Sequence, residues 1–189
     1  MKTNDANAAI APGVDLMRSF PGPYGTILAD PPWRFTNRTG KMAPEHRRLS
    51  RYATMTFDEI MELPVAQLAS EQSHLYLWVP NALIGQGLEV MRRWGFTYKT
   101  SMVWVKDKIG MGYYWRSKHE FLLLGVKGKG IGTPAPADRK PSVLEAPRVE
   151  HSKKPDVYGM IEKMYPGRRY LELFARNKRK GWKSWGNEI

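Results

Sequence analysis

The sequence predicts an α/β sandwich built on a mostly parallel sheet with one antiparallel hairpin. Three observations lead there. Short apolar runs rich in strand formers alternate with segments of helical spacing, the pattern of strand–helix–strand units. Two later runs, Phe96 to Val105 and His119 to Val126, follow one another too closely for a helical crossover and so pair as a hairpin. No repeat and no linker divides the 189 residues, a length suited to one domain with a full core. Residues 1–13, polar and alanine-rich, read as a flexible N-terminal arm, and residues 14–189 as the single domain.

Taken in order, Val14 to Phe20 predicts a helical turn. Tyr24 to Ala29 is the first strand, and it must stop at Asp30-Pro31-Pro32-Trp33 because proline cannot continue a central strand. The polar stretch Arg34 to Ala53 holds five arginines and one lysine, and is either a cover over a nucleotide or an ordinary surface loop. Thr56 to Glu59 is a capping box opening a helix, which Pro64 breaks before a short piece through Leu68. His74 to Val79 reads as a buried strand. Asn81 then caps a helix carrying Leu83, Leu88, Val90, Met91 and Trp94, ended by Gly95. The hairpin strands enclose a Gly- and Tyr-rich loop, Lys106 to Lys118, and a basic loop follows from Lys127 to Pro141. Ser142 to Leu144 suits a short edge strand. Pro155 starts a helix running to Met164, Arg169 to Phe174 is the last buried strand, and Arg176 to Ile189 reads as a basic tail.

Lysine and arginine number 30 against 18 acids, a formal charge of +12, and that surplus points to a polyanion, nucleic acid being the natural choice. There is no cysteine, which excludes disulfides and thiolate metal sites. His46, His74, His119 and His151 show no ligand spacing, so no metal is expected. No apolar run reaches membrane length, and a cytoplasmic protein without a membrane partner is expected.

The chemistry concentrates where the first strand stops. Asp30 and the Pro31 carbonyl present acceptors without competing donors, beside the Trp33 ring. That set suits a planar ring bearing an exocyclic amine: the nitrogen gives one N–H to each oxygen while the ring stacks on Trp33. Two acceptors off the ring plane favour a pyramidal nitrogen and free its delocalised lone pair. Asp30 also faces the positive charge that grows during attack. Further along, Lys153-Lys154 precede a helix, where they are either a solvated pair or the partner of an anion held at its N-terminus. Glu172, an acid inside an apolar strand, needs a partner, for which Lys154 is a candidate.

Asp30-Pro31-Pro32-Trp33 resembles the catalytic motif of the MTA70-like adenine-N6 methyltransferases, a family that includes the eukaryotic messenger-RNA enzyme and many phage and bacterial proteins. Further matches run in order to Glu188. His151 to Asp156 is similar to the family's Lys-Pro motif, which implies that Lys154 meets the carboxylate of S-adenosylmethionine. Tyr170 to Arg176 resembles the strand lining the methyl donor, implying Glu172 and Arg176 as cofactor residues beside Asp30. Gly181 to Glu188 is similar to the closing motif, in which Asn187 and Glu188 hold the adenosine part. Gly112 to Glu120 also fits, so Arg116, Lys118, His119 and Glu120 join Trp33 as candidate substrate contacts; His119 and Glu120 could equally be an ordinary polar strand start. Asn177-Lys178 stands where the eukaryotic branch has His-Asn.

The resemblance implies a Rossmann-like S-adenosylmethionine-dependent methyltransferase sandwich in circularly permuted order, with the target-amine motif first and the cofactor strand last. It implies direct in-line methylation of adenine N6 without a metal, the catalytic set being Asp30, Pro31, Pro32 and Trp33. The compact length and closing motif are closer to the phage and bacterial branch, so DNA is expected ahead of RNA. A catalytically silent nucleic-acid-binding subunit is the remaining reading, although its core motif would be degraded and here it is intact. A monomer or homodimer is expected, with a partner subunit as a further possibility.

Overall fold

The computed structural model describes residues 12–35, 55–110, 112–147, 154–187 and 189. The expected arm (all but its last two residues), the basic stretch beyond Phe35, Lys153 and Glu188 lie outside the described residues. Helices α1 (Pro12–Ser19), α2 (Phe57–Met61), α3 (Val65–Leu68), α4 (Ile84–Arg93) and α5 (Tyr158–Met164) pack on a seven-stranded sheet. Its strands are β1 (Tyr24–Ala29), β2 (Ala69–Pro80), β3 (Thr97–Val105), β4 (His119–Lys127), β5 (Val143–Glu145), β6 (Tyr170–Leu173) and β7 (Trp182–Trp185), in the spatial order β5-β3-β4-β2-β1-β6-β7.

β1 is hydrogen-bonded in parallel to β2 on one side and β6 on the other, with Ala29 level with both Leu77 and Leu173. β7 continues parallel beyond β6, and β5 parallel beyond β3. Among the described strands only β4 is reversed, pairing antiparallel with β3 and also with β2. The expected hairpin is therefore present, and its second strand joins it to the parallel half.

Alternate strand residues serve opposite faces. Ile27, Ala29, Leu77, Val79 and Leu173 pack under helices α1 to α4, against Leu16, Ile60, Leu68, Val90 and Trp94. Leu28, Tyr76, Trp78, Trp104 and Leu122 form the other face, covered by Val157, Ile161 and Tyr165 around α5. Burial on both faces is why β1 and the Leu75 to Val79 part of β2 read as apolar runs.

The local signals mostly act as expected. Glu59 N–H donates to Thr56 Oγ1 at 3.3 Å and Thr56 N–H to Glu59 Oε2 at 2.7 Å, the reciprocal pair of a capping box. Gly95, at φ 81°, follows the last turn of α4. Several boundaries differ. β2 starts at Ala69, five residues ahead of the expected His74. Asn81 lies in a single 3-10 turn and caps nothing through its side chain; α4 starts at Ile84. α5 starts at Tyr158, beyond Pro155. The tail holds a seventh strand, β7, because Trp182 and Trp185 both find apolar cover beside β6.

His74 sits at 2% exposure, its Nε2 accepting the Ile131 N–H at 3.3 Å and its ring edge-on to Tyr165. Burial lowers its pKa from 6.5 to about 4. Between those values an unfolded histidine binds a proton that the native one refuses, so the stability is whole above about pH 6.5 and lost as the pH falls toward 4. The loss reaches up to about 3 kcal/mol. In urea denaturation at pH 7 and pH 4.5, His74→Gln, which keeps an acceptor for Ile131, is expected to lose less stability on acidification than the wild type.

Candidate active site

β1, β6 and β7 all end on one edge of the sheet, and the reversed β4 begins there. That edge gathers Asp30 after β1, Lys106 after β3, Glu120 in β4, Arg176 after β6 and Asn187 after β7. Lys154, on the segment before α5, comes over it. Its Nζ lies 3.7 Å from Asp30 Oδ1 and pairs with Glu120 Oε2, and Glu120 Oε1 in turn accepts Lys106 Nζ. The rings of Trp78 and Trp104 stand 5.3 and 5.8 Å from the same ammonium.

Burial pulls the Lys154 pKa down; Asp30 beside it raises it again, while Lys106 and Arg176 push it lower. Attraction at 4 Å is worth about 4 kcal/mol at an effective dielectric near 20, against several kcal/mol per ion for leaving water. The two nearly cancel. What the chain of charges secures is therefore position: one ammonium fixed beside one carboxylate at the mouth of β1.

The Asp-Pro-Pro-Trp turn is tightly held. The Pro31 carbonyl accepts the Trp33 N–H at 2.8 Å, which leaves its second lone pair, and the Pro32 carbonyl accepts the Met55 N–H at 3.3 Å. Trp33 departs from expectation. Its indole is 8% exposed and packs in the core under α1 to α4, with Nε1 donating to the Trp78 carbonyl at 2.9 Å. Little of its face is left for stacking, and its part here is to anchor the two prolines from behind.

Glu172 also differs. Its Oε1 accepts the Tyr158 hydroxyl at 2.6 Å, so its partner is Tyr158 and not Lys154. The late start of α5 sets that ring over β6, while Lys154 is taken by Asp30 and Glu120. Burial raises the Glu172 pKa, and Oε2 makes no hydrogen bond among the described residues. Beyond it Phe174 takes φ 63°, a left-handed conformation that costs a bulky residue about 1–3 kcal/mol. This turn leads the chain off β6 to Arg176.

The other expected residues divide. His119 stacks edge-on with Phe121, which packs against the cluster holding Trp33, so it faces away from Glu120 and the charges. Arg116 and Lys118 are exposed in the β3–β4 loop and not among the paired charges, Arg116 donating to the Gly110 carbonyl at 2.9 Å. Asn187 is exposed and lines an open groove of about 900 Å³ along β7, with Asp15, Lys178 and Arg179. Sequence reading missed Lys106, Trp78, Trp104 and Tyr158. Lys106 had one legible sign, its place directly after an apolar strand on the reactive edge.

No group of acids and histidines able to hold a metal, and no helix long and apolar enough to cross a membrane, occurs among the described residues. A mostly parallel sheet with one reversed strand and an acid followed by two prolines at the end of an inner strand defines a Rossmann-like methyltransferase. The chain belongs to the MT-A70 family, whose pattern matches residues 24–188. It is similar to the Type II methyltransferase M.MunI of Mycoplasma sp, 34% identical over 185 residues, covering 88% of this chain and 78% of that protein. It is 32% identical over 179 residues to the human N(6)-adenosine-methyltransferase catalytic subunit METTL3, covering 89% of this chain and 28% of that protein. A putative N(6)-adenosine-methyltransferase MT-A70-like protein of Medicago truncatula is 34% identical over 186 residues, covering 89% and 27%. The chain thus spans most of the first relative's length and little more than a quarter of the other two.

The Tyr158–Glu172 bond gives a direct test of the α5 face. Tyr158→Phe leaves the buried carboxyl without this donor and is expected to cost about 1–3 kcal/mol. Glu172→Gln, which keeps an acceptor for the hydroxyl, is expected to cost less, as read from denaturation midpoints of the two variants.

Proposed function

We propose that this chain is an S-adenosylmethionine-dependent methyltransferase acting on the N6 amine of adenine in DNA. The observation that carries the reading is the pair of acceptor groups at the end of β1, the Asp30 carboxylate and the Pro31 carbonyl, beside an ammonium that pairs with Asp30 and Glu120. S-adenosylmethionine, when bound, would supply an electrophilic methyl group on sulfonium: the amine lone pair would form the N–CH3 bond in line as the S–CH3 bond breaks, S-adenosylhomocysteine would leave, and one N–H proton would pass to solvent. Lys154, held beside Asp30 with Lys106 and Arg176 near it, would meet the cofactor's carboxylate. Asn187 and Glu188 would take the adenosine part.

Asp30 and Pro31 each accept one N–H of the target amine, which turns the nitrogen lone pair out of the ring plane. Asp30 stabilises the positive charge that grows there, and a carboxylate already in place does so without reorganising as the bond forms. A base inside a duplex cannot reach this edge, so the adenine enters flipped out or single-stranded. The basic loops 106–118 and 127–141 grip phosphates, and binding weakens steeply with salt.

DNA is favoured over RNA because the chain matches the Type II methyltransferase M.MunI over 78% of that protein's length, in the branch for which the motif resemblance implies DNA. The RNA reading draws on the likeness to METTL3, an N(6)-adenosine-methyltransferase catalytic subunit. Radiolabelled methyl transfer into DNA and into RNA separates the two. Asp30→Ala is expected to slow transfer a hundredfold or more, about 3 kcal/mol. Equal transfer by the wild type and Asp30→Ala would sink the mechanism.

A further inference from the structure

The loop from Lys106 to Lys118 ends in a tip that the chemistry above does not use. Tyr113, Tyr114 and Trp115 are 91%, 96% and 87% exposed. Exposed aromatic residues scattered singly are ordinary, but three in succession are not. The neck beneath them is built. Lys106 N–H donates to the Lys118 carbonyl at 2.8 Å and Gly110 N–H to the Ser117 carbonyl at 2.6 Å. Gly112 approaches the Trp115 carbonyl so closely that a Cβ would lie 2.0 Å from it, so only glycine closes this turn. The neck fixes where the tip stands, so its backbone has little freedom left to lose on binding.

The feet of the loop are Lys106 and Glu120, members of the same charge chain that fixes Lys154 beside Asp30. The tip is therefore braced against the reactive edge. From Lys118 to Trp115 the reach is at most roughly 10 Å, about three stacked bases. Between them, Lys106, Lys108, Arg116 and Lys118 outnumber the loop's single acid, Asp107. Rings and arginine suit protein interfaces too, but lysine is depleted there and three of these four cations are lysines, whereas cations around exposed rings are what single-stranded nucleic acid binds.

We propose that Tyr113, Tyr114 and Trp115 stack on unpaired bases beside the target adenine and hold the strand while that adenine occupies the edge at Asp30. This rests on the methyl-transfer reading and names how the same site grips its polymer. The test uses the full chain and the triple variant Tyr113→Ser/Tyr114→Ser/Trp115→Ser, which keeps every loop cation. Binding to a fluorescein-labelled single-stranded DNA oligonucleotide is measured across salt concentrations, together with transfer kinetics and sedimentation. Kd and KM are expected to rise about tenfold or more, with kcat within about twofold and an unchanged salt slope. Trp115→Phe should restore most of the affinity while reducing the fluorescence quenching seen on binding. A triple variant that binds within twofold of the wild type overturns the proposal. So does a change in assembly state with affinity intact, since the tip would then be a protein interface. A wild type that binds through the tip yet transfers no methyl group supports the tip and overturns the methyl-transfer reading alone.

Discussion

A lysine largely withdrawn from water is costly, and much of this molecule is arranged around one. Lys154 keeps its place because Asp30, Glu120 and two indole rings surround it. Those partners come from the end of β1, the start of β4, and the interiors of β2 and β3. The ion pairs do not stabilise the fold much in sum. Removing one member, however, strands a charge in a dry setting at about 3–5 kcal/mol. The cluster thus acts as a clamp: the separate segments must arrive together or none of them sits well.

A second constraint follows from covering the sheet on both sides. The helices α1 to α4 bury an apolar face, whereas the face under α5 also carries Thr26, His74, Tyr76 and Glu172. Tyr158 answers Glu172, and Ile131 answers His74. Those four polar side chains therefore share the α5 side of the sheet.

The alternation of strands and helices, the hairpin and the strand end at Asp30 were legible because they rest on local rules: proline ends a strand, and a short return forces antiparallel pairing. The clamp was half legible. Lys154 and Asp30 stood out separately, but their meeting depends on a crossing of distant segments that no local pattern encodes. Glu172 shows the limit well. Its need for a partner followed from its surroundings, yet which partner depended on where α5 starts, and Pro155 pointed a few residues too early. Trp33 misled for a related reason. An indole beside an acid suggests a stacking platform, while the backbone carbonyl of Trp78, set by the parallel register, draws it inward instead. β7 was hidden by its lysine and serine, which made a packed strand look like a charged tail.

The single reversed strand has a wider consequence. A strand running with its neighbours must be reached by a long crossover over a face of the sheet, so lengthening that connection disturbs the covering layer. β4 is reached by a turn that never leaves the reactive rim. Residues added there meet only solvent and whatever polymer lies across the rim, leaving both cores as they were. On the proposed reading, the tip of that connection is where grip can be retuned while the charge pairs at its base stay as they are.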